Sequence, residues 1–123
     1  MKSLHNFSLK DHNSFGLDVE AREIHFPETH QEVQELVRDV QDPFVLGGGS
    51  NVLFTTNQLT KPVIRPEIKG LSKAFENNDY TIVSAGAGES WQALVDFTLQ
   101  NDWGGIENLS LIPGHVGAAP IQN

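Results

Sequence analysis

The residues of this chain best placed to do chemistry are main-chain ones. The stretch Phe44-Val45-Leu46-Gly47-Gly48-Gly49-Ser50-Asn51-Val52-Leu53-Phe54 holds three consecutive glycines and two small polar residues between two apolar runs. Each glycine costs about 0.5–1 kcal/mol relative to alanine inside a regular element, so three in a row point to something that must come close to the backbone. Successive amide N–H groups in such a bend form a concave, partly positive nest for an anion, and Ser50 and Asn51 add side-chain donors. On residue types alone an ordinary turn explains a glycine run equally well. A second stretch of the same character closes the chain: Pro113-Gly114-His115-Val116-Gly117-Ala118-Ala119-Pro120-Ile121-Gln122-Asn123. Its Gly117, Ala118 and Ala119 would let a flat ring lie against the chain, while Gln122 and Asn123 offer amide donors and acceptors.

Neither stretch contains a lysine or arginine. A diphosphate bound there is neutralised by backbone N–H groups and polarised side chains, which suits a tightly held cofactor better than a nucleotide exchanged at each turnover. That is the shape of a flavin dinucleotide site, although the residue types admit any phosphate-bearing cofactor. Other chemistries fit less well. Gly86-Ala87-Gly88 follows a strand and precedes a helix, as a dinucleotide fingerprint requires, but its third glycine would fall on Trp91. The triple glycine lacks the Gly-Lys-Ser/Thr ending of a nucleoside-triphosphatase loop. Histidines 5, 12, 25, 30 and 115 show no metal-ligand spacing and read as surface or strand residues, so no metal is expected. The acid pairs Glu20 and Glu23, and Glu32 and Glu35, fit a solvated face. Ser50 and Ser110 have no identifiable base, and Trp91 and Trp103 read as packing residues.

With 123 residues, 38% hydrophobic and 20% charged, the chain suits one compact domain or two small lobes. It is short for an enzyme with separate cofactor and substrate lobes. Eight basic against sixteen acidic residues give a net charge of −8, which repels nucleic acid and anionic membrane. The lack of cysteine removes disulfides, thiolate metal sites and a cysteine nucleophile, and fits a cytoplasmic protein. The first residues carry no apolar run of signal-peptide type, and no segment reaches membrane-spanning length.

The elements that must position these stretches follow in order. Residues 7–19 are irregular and read as an extended arm with a turn at Asn13-Ser14-Phe15-Gly16. Arg22-Glu23-Ile24-His25-Phe26 alternates as a half-buried strand. Thr29-His30-Gln31-Glu32 has the capping-box arrangement, and Val33, Leu36, Val37 and Val40 follow on one helical face until Asp42-Pro43. Strands on either side of the triple glycine then complete a βαβ unit with the glycines beyond its second strand, where such units gather ligands. A polar connection at 57–60 leads to a short strand at Pro62-Val63-Ile64-Arg65-Pro66. A lobe boundary is expected near 66–70, then a hairpin turning at Asn77-Asn78-Asp79, and a helix carrying Trp91, Leu94, Val95 and Thr98 that Gly104-Gly105 closes.

Asn13-Ser14-Phe15-Gly16, Leu46-Gly47-Gly48-Gly49-Ser50-Asn51-Val52-Leu53, Ala85-Gly86-Ala87-Gly88-Glu89-Ser90-Trp91 and residues 107–123 closely resemble, in order and spacing, the UDP-N-acetylenolpyruvoylglucosamine reductase family. The resemblance runs over nearly the whole chain, and its last motif is long enough to be specific. It implies an α+β, FAD-binding PCMH/vanillyl-alcohol-oxidase-type fold, with residues 1–66 as a first FAD-binding lobe (βαββ) and 67–123 as the start of a second, truncated lobe. It places the FAD diphosphate on Gly47, Gly48, Gly49, Ser50 and Asn51. The ring system falls on Pro113, Gly114, Val116, Gly117, Ala118, Ala119, Ile121, Gln122 and Asn123. It also implies NADPH as hydride donor, UDP-N-acetylglucosamine enolpyruvate as UDP-sugar substrate, and a place in peptidoglycan synthesis. The family's catalytic serine, arginine and glutamate lie beyond the point where this chain stops, so an inactive fragment is expected, self-associating if its 106–121 region is left uncovered. Ala118 and Ala119 stand where relatives can carry serines, leaving backbone donors there. Another flavin oxidoreductase of the same fold, or a non-catalytic nucleotide-binding module, is the alternative.

Overall fold

The computed structural model describes residues 1–122. Its larger sheet has five strands, β1 (Lys2–Ser8), β2 (Glu20–Phe26), β3 (Phe44–Val45), β4 (Gln58–Leu59) and β5 (Val63–Ile64). The path runs β1-β2-β5-β3, and β4 pairs with β2. β1 is antiparallel to β2, whereas β2, β5 and β3 run parallel. Ile24 faces Val63 and His25 faces Ile64 across the β2–β5 pair. Neighbouring residues of a strand point to opposite faces, and all four are buried, so both faces of the sheet centre are covered. On one face Ile24 and Val63 join Leu9, Val19, Ala21, Phe26, Leu46 and Phe54 in the main core.

The crossover from β2 to β3 is helix α1 (His30–Asp39). It begins as its residue types dictate. The Thr29 hydroxyl accepts from Glu32 N at 3.2 Å, and Glu32 Oε2 accepts from Thr29 N at 3.3 Å. Of the expected apolar face only Leu36 is fully buried, and Val37 is 62% exposed.

Three expectations of the sequence change. The supposed arm at 7–19 begins inside a strand: β1 pairs with β2 from Lys2↔Phe26 to Ser8↔Glu20, so Phe7 and Ser8 belong to the sheet. Its apolar residues Leu4 and Phe7 do not alternate, and Asn6 between them has φ +50°, so the pairing comes from the partner rather than from a period of two. The run after the triple glycine is not a strand. Phe54 is buried against Phe44, with ring centroids 6.2 Å apart, while Leu53 is 65% exposed. The pairing moves instead to β4, where a polar connection was expected.

Beyond β5 the chain forms a second sheet, the hairpin β6 (Leu71–Glu76) and β7 (Thr81–Ala85). Asn77 Oδ1 accepts from Asp79 N and Tyr80 N, both at 2.9 Å, which fixes the expected turn. Helix α2 (Trp91–Gln100) follows with Ser90 as N-cap and Val95 and Thr98 buried. It ends before Gly104-Gly105, since Asp102 itself takes the left-handed conformation at φ +59°. A last turn, α3 (Ala119–Gln122), closes the described chain.

Candidate functional site

Residues 47–51 leave the carboxyl end of β3, beside the carboxyl end of its parallel neighbour β5. The bend is gripped from behind by the segment at 12–14. Gly49 has φ +70°, and a Cβ placed on it would lie 2.0 Å from the His12 carbonyl oxygen. Ser14 N donates to Gly49 O at 3.1 Å. Asn13, buried between them, ties its own loop with three bonds: Nδ2 donates to Leu9 O (2.7 Å) and Leu17 O (3.0 Å), and Oδ1 accepts from Leu17 N (3.0 Å). The turn seen in the sequence at Asn13 is therefore a brace for the triple glycine.

The second glycine-rich stretch presses on the bend from the other side. A Cβ on Gly48 would meet Gly114 Cα at 3.0 Å, and one on Gly47 would meet Ala118 Cβ at 3.1 Å. Behind that stretch Gly117 packs on Ala87, to whose carbonyl its N–H donates at 3.1 Å. Val116 N donates to Glu89 O at 2.9 Å and Trp91 N to Gly114 O at 3.0 Å. The Gly86-Ala87-Gly88 turn that failed as a nucleotide fingerprint is thus the seat of the closing stretch. Gly88 sits directly over Glu67, its Cβ position 2.7 Å from Glu67 Cα. A Cβ on Gly49 or Gly117 would clash with this same chain at 2.0 and 2.7 Å, and one on Gly47 or Gly48 would be held tightly at 3.1 and 3.0 Å. Their first demand is chain-on-chain packing, and any ligand meets the edges that remain.

Those edges enclose a crevice of about 380 Å³. Gly47, Gly49 and Asn51 of the first bend line it together with Gly117, Ala118 and Ile121 of the second. Val45, Leu46, Val52, Pro66 and Ala87 make it mainly apolar, and His115 completes the wall. Among the other residues singled out in the sequence, Gly48 and Gly114 form the contact between the two stretches. Ala119 is buried, its N–H shared between the His115 and Val116 carbonyls at 3.2 Å. Ser50, Pro113 and Val116 are absent from the lining. Gln122 is described by its backbone only, and Asn123 lies outside the described residues. Among the described residues, no main-chain N–H of 47–51 donates to another backbone carbonyl, so these amides remain for a ligand or water. An apolar slot with unspent amides at one side matches a flat ring system joined to a phosphate, so the residues present fit a flavin dinucleotide.

Two polar residues emerge that the sequence reading passed over. His115, taken as a surface or strand histidine, has its Nδ1 buried without a hydrogen-bond partner. Burial, then the charges of Arg65 and Lys69, lower its pKa below the ordinary 6.5. Arg65 follows β5, and its side chain is only 13% exposed and paired with Glu67. His12 is likewise lowered by burial and by Arg65. Both loops are free of lysine and arginine, but the largely buried Arg65 acts on His115 of the second and on His12 behind the first. The available signal was its place directly after a parallel strand, where ligand-facing residues collect.

A family model described as FAD binding domain matches residues 21–123. Over 120 residues the chain is 39% identical to a UDP-N-acetylenolpyruvoylglucosamine reductase of Flavobacterium johnsoniae, covering 96% of this chain and 35% of that one. It is 44% identical over 124 residues to the reductase of the same name from Burkholderia mallei, covering 98% and 35%. The chain thus spans about 35% of the length of these curated relatives. The crystal structure of UDP-N-acetylenolpyruvylglucosamine reductase from Thermus caldophilus superposes with a TM-score of 0.69 at 27% identity, over 96% of this chain and 40% of that one.

Proposed function

The chain belongs to the FAD binding domain family and has the α+β fold of the PCMH/vanillyl-alcohol-oxidase type; from that premise we propose that it is the FAD-holding portion of a UDP-N-acetylenolpyruvoylglucosamine reductase. The observation that carries this reading is the shared crevice. Two charge-free, sterically bare stretches about 65 residues apart in sequence are locked backbone to backbone and leave one apolar slot edged by unspent amides. In this reading Gly47, Gly48, Gly49, Ser50 and Asn51 present main-chain N–H groups to the diphosphate. The segment from Pro113 to Asn123 lies along the ring system, with Gly117, Ala118 and Ile121 excluding water from it. Bound there, the flavin would supply hydride transfer from NADPH to the enolpyruvyl double bond of a UDP-sugar, the step that makes UDP-N-acetylmuramate for peptidoglycan.

The two lobes of the reading, 1–66 and 67–123, are supported by the change of sheet between β5 and β6. A cytoplasmic place suits a cysteine-free chain. No described helix is long and apolar enough to cross a membrane. Leu111 and Ile121, 85% and 89% exposed, would favour self-association of the isolated chain.

Adding FAD to the purified chain and removing unbound flavin by gel filtration tests the reading. Yellow protein with a perturbed flavin spectrum is expected, and colourless protein at every FAD concentration would reject the cofactor assignment. A full-length relative fused to this segment should then oxidise NADPH only when the enolpyruvyl sugar nucleotide is present. Oxidation without that dependence would point to another flavin oxidoreductase.

A further inference from the structure

Among the described residues lining the crevice, His115 alone is ionisable. Its ring lies against the triple glycine: Cδ2 is 3.4 Å from the position a Cβ on Gly48 would take. Its place is fixed by the main chain, because His115 pairs as an isolated bridge with Ser90 and its carbonyl accepts from Ala118 N at 3.1 Å. Its Nδ1 is buried inside the fold without a partner, so the ring meets the crevice through its other atoms. We infer that His115 is a ligand-contacting residue of this crevice and takes up a proton when a dinucleotide diphosphate enters it.

The charges around the ring decide the sign. Arg65 and Lys69 face it as cations, and Glu67 and Glu89 as carboxylates. These largely offset one another: Arg65 pairs with Glu67, and Lys69 Nζ lies 3.8 Å from Glu89 Oε2. Burial therefore favours the neutral ring within the protein alone. A diphosphate on the Gly47 and Gly49 side brings negative charge into the crevice that His115 lines, and among the described lining residues no carboxylate stands against it. Negative charge nearby favours the imidazolium, so the ligand raises the affinity of His115 for a proton. By reciprocity protonation tightens the diphosphate, by up to about tenfold per pH unit across the interval between the free and bound ring's titrations.

The inference rests on the FAD reading above, and the test separates the two. Calorimetric titration of the whole chain with FAD, repeated in two buffers of different ionisation enthalpy, measures protons taken up per FAD bound. Uptake of a fraction of a proton near pH 6.5 is expected, falling to none in His115→Gln, whose affinity should no longer rise on acidification. His12→Gln removes the other histidine that burial depresses, and should keep the uptake. Uptake retained in His115→Gln, or lost in His12→Gln alone, overturns the role of His115 and leaves the flavin site standing. A wild-type chain that binds no FAD at any pH overturns both. Should His115→Gln fail to fold by circular dichroism, the proton resonances of the wild-type ring decide. Their titration midpoint must move upward when FAD is added, and an unmoved midpoint refutes the inference.

Discussion

Replacing Gly49 with alanine should be far more damaging than the same change at Gly16, although both glycines have positive φ, +70° and +62°. Left-handed backbone costs a non-glycine residue about 1–2 kcal/mol, and alanine returns about 0.4–1 kcal/mol by stiffening the unfolded chain. Gly16→Ala meets nothing within 4 Å, so its net loss is about 1 kcal/mol or less. At Gly49 the new Cβ stands 2.0 Å from His12 O, where ordinary contact starts at 3.4 Å, so the segments must part by 3.4 − 2.0 = 1.4 Å. That movement breaks the 3.1 Å bond from Ser14 N to Gly49 O and disturbs buried Asn13 with its three bonds. Hydrogen bonds are worth about 1 kcal/mol each, and a buried polar group left unpaired loses a further 1–3 kcal/mol, so Gly49→Ala should cost about 3 kcal/mol or more. With a urea slope of about 2 kcal/mol per molar, the unfolding midpoint falls by about 1.5 M, against about 0.5 M or less for Gly16→Ala. Urea titrations of the two variants side by side read this difference. Equal midpoints would mean that the 12–14 brace yields freely and does not hold the glycine bend.

Gly48→Val should weaken FAD binding by more than tenfold and also lower stability by about 1–3 kcal/mol, because the side chain would drive against Gly114 as well as fill the bend; flavin retention and a urea midpoint both unchanged would refute it. Leu46→Ala, at a fully buried side chain shared by the core and the crevice wall, should cost about 2–5 kcal/mol in chemical unfolding. Stability should also decline as pH drops below 6.5. His12 and His115 are lowered in the fold, so the unfolded chain binds protons first, and their contribution is fully present above the unfolded value. Urea midpoints of a His12→Gln/His115→Gln double variant should stay level just below pH 6.5, where the wild type falls, and parallel curves would refute this assignment. A separate decline sets in below pH 4.5, where Glu32, Glu76 and Glu107 lose their depressed carboxylates.

What could be read from residues alone was local. Thr29 and Glu32 reach each other within one turn, and Asn77 reaches the amides of Asp79 and Tyr80, so the capping box and the hairpin turn need no partner from elsewhere. β1 needs one. Leu4 and Phe7 follow no strand period, and the strand exists because β2 offers an edge for it to pair with. β3 and β5 lie where the apolar runs before the triple glycine and between Pro62 and Pro66 predict strands, whereas β4 is defined by its register with β2 rather than by composition, which is why the pairing expected for Val52, Leu53 and Phe54 appears there.

The glycines show where local reading stops. Three glycines in a row say that something approaches the backbone, but their types do not say what. The structure answers that it is first the chain itself: His12 behind Gly49, Gly114 behind Gly48, Ala118 behind Gly47. This changes the physics of binding. Were the glycines bare to let a ligand in, the bend would have to be ordered by that ligand, and binding would bear the entropy of fixing it. Because the two stretches are packed against each other and against Asn13 and Ala87, the bend is held in place by the chain itself. On the proposed reading a diphosphate meets a preorganised bend, so flavin affinity should depend on the brace residues nearly as strongly as on those that touch the ligand. Asn13→Ala, remote from the crevice lining, should therefore weaken FAD binding while the protein remains folded, and unchanged affinity would show that the bend keeps its shape without the brace.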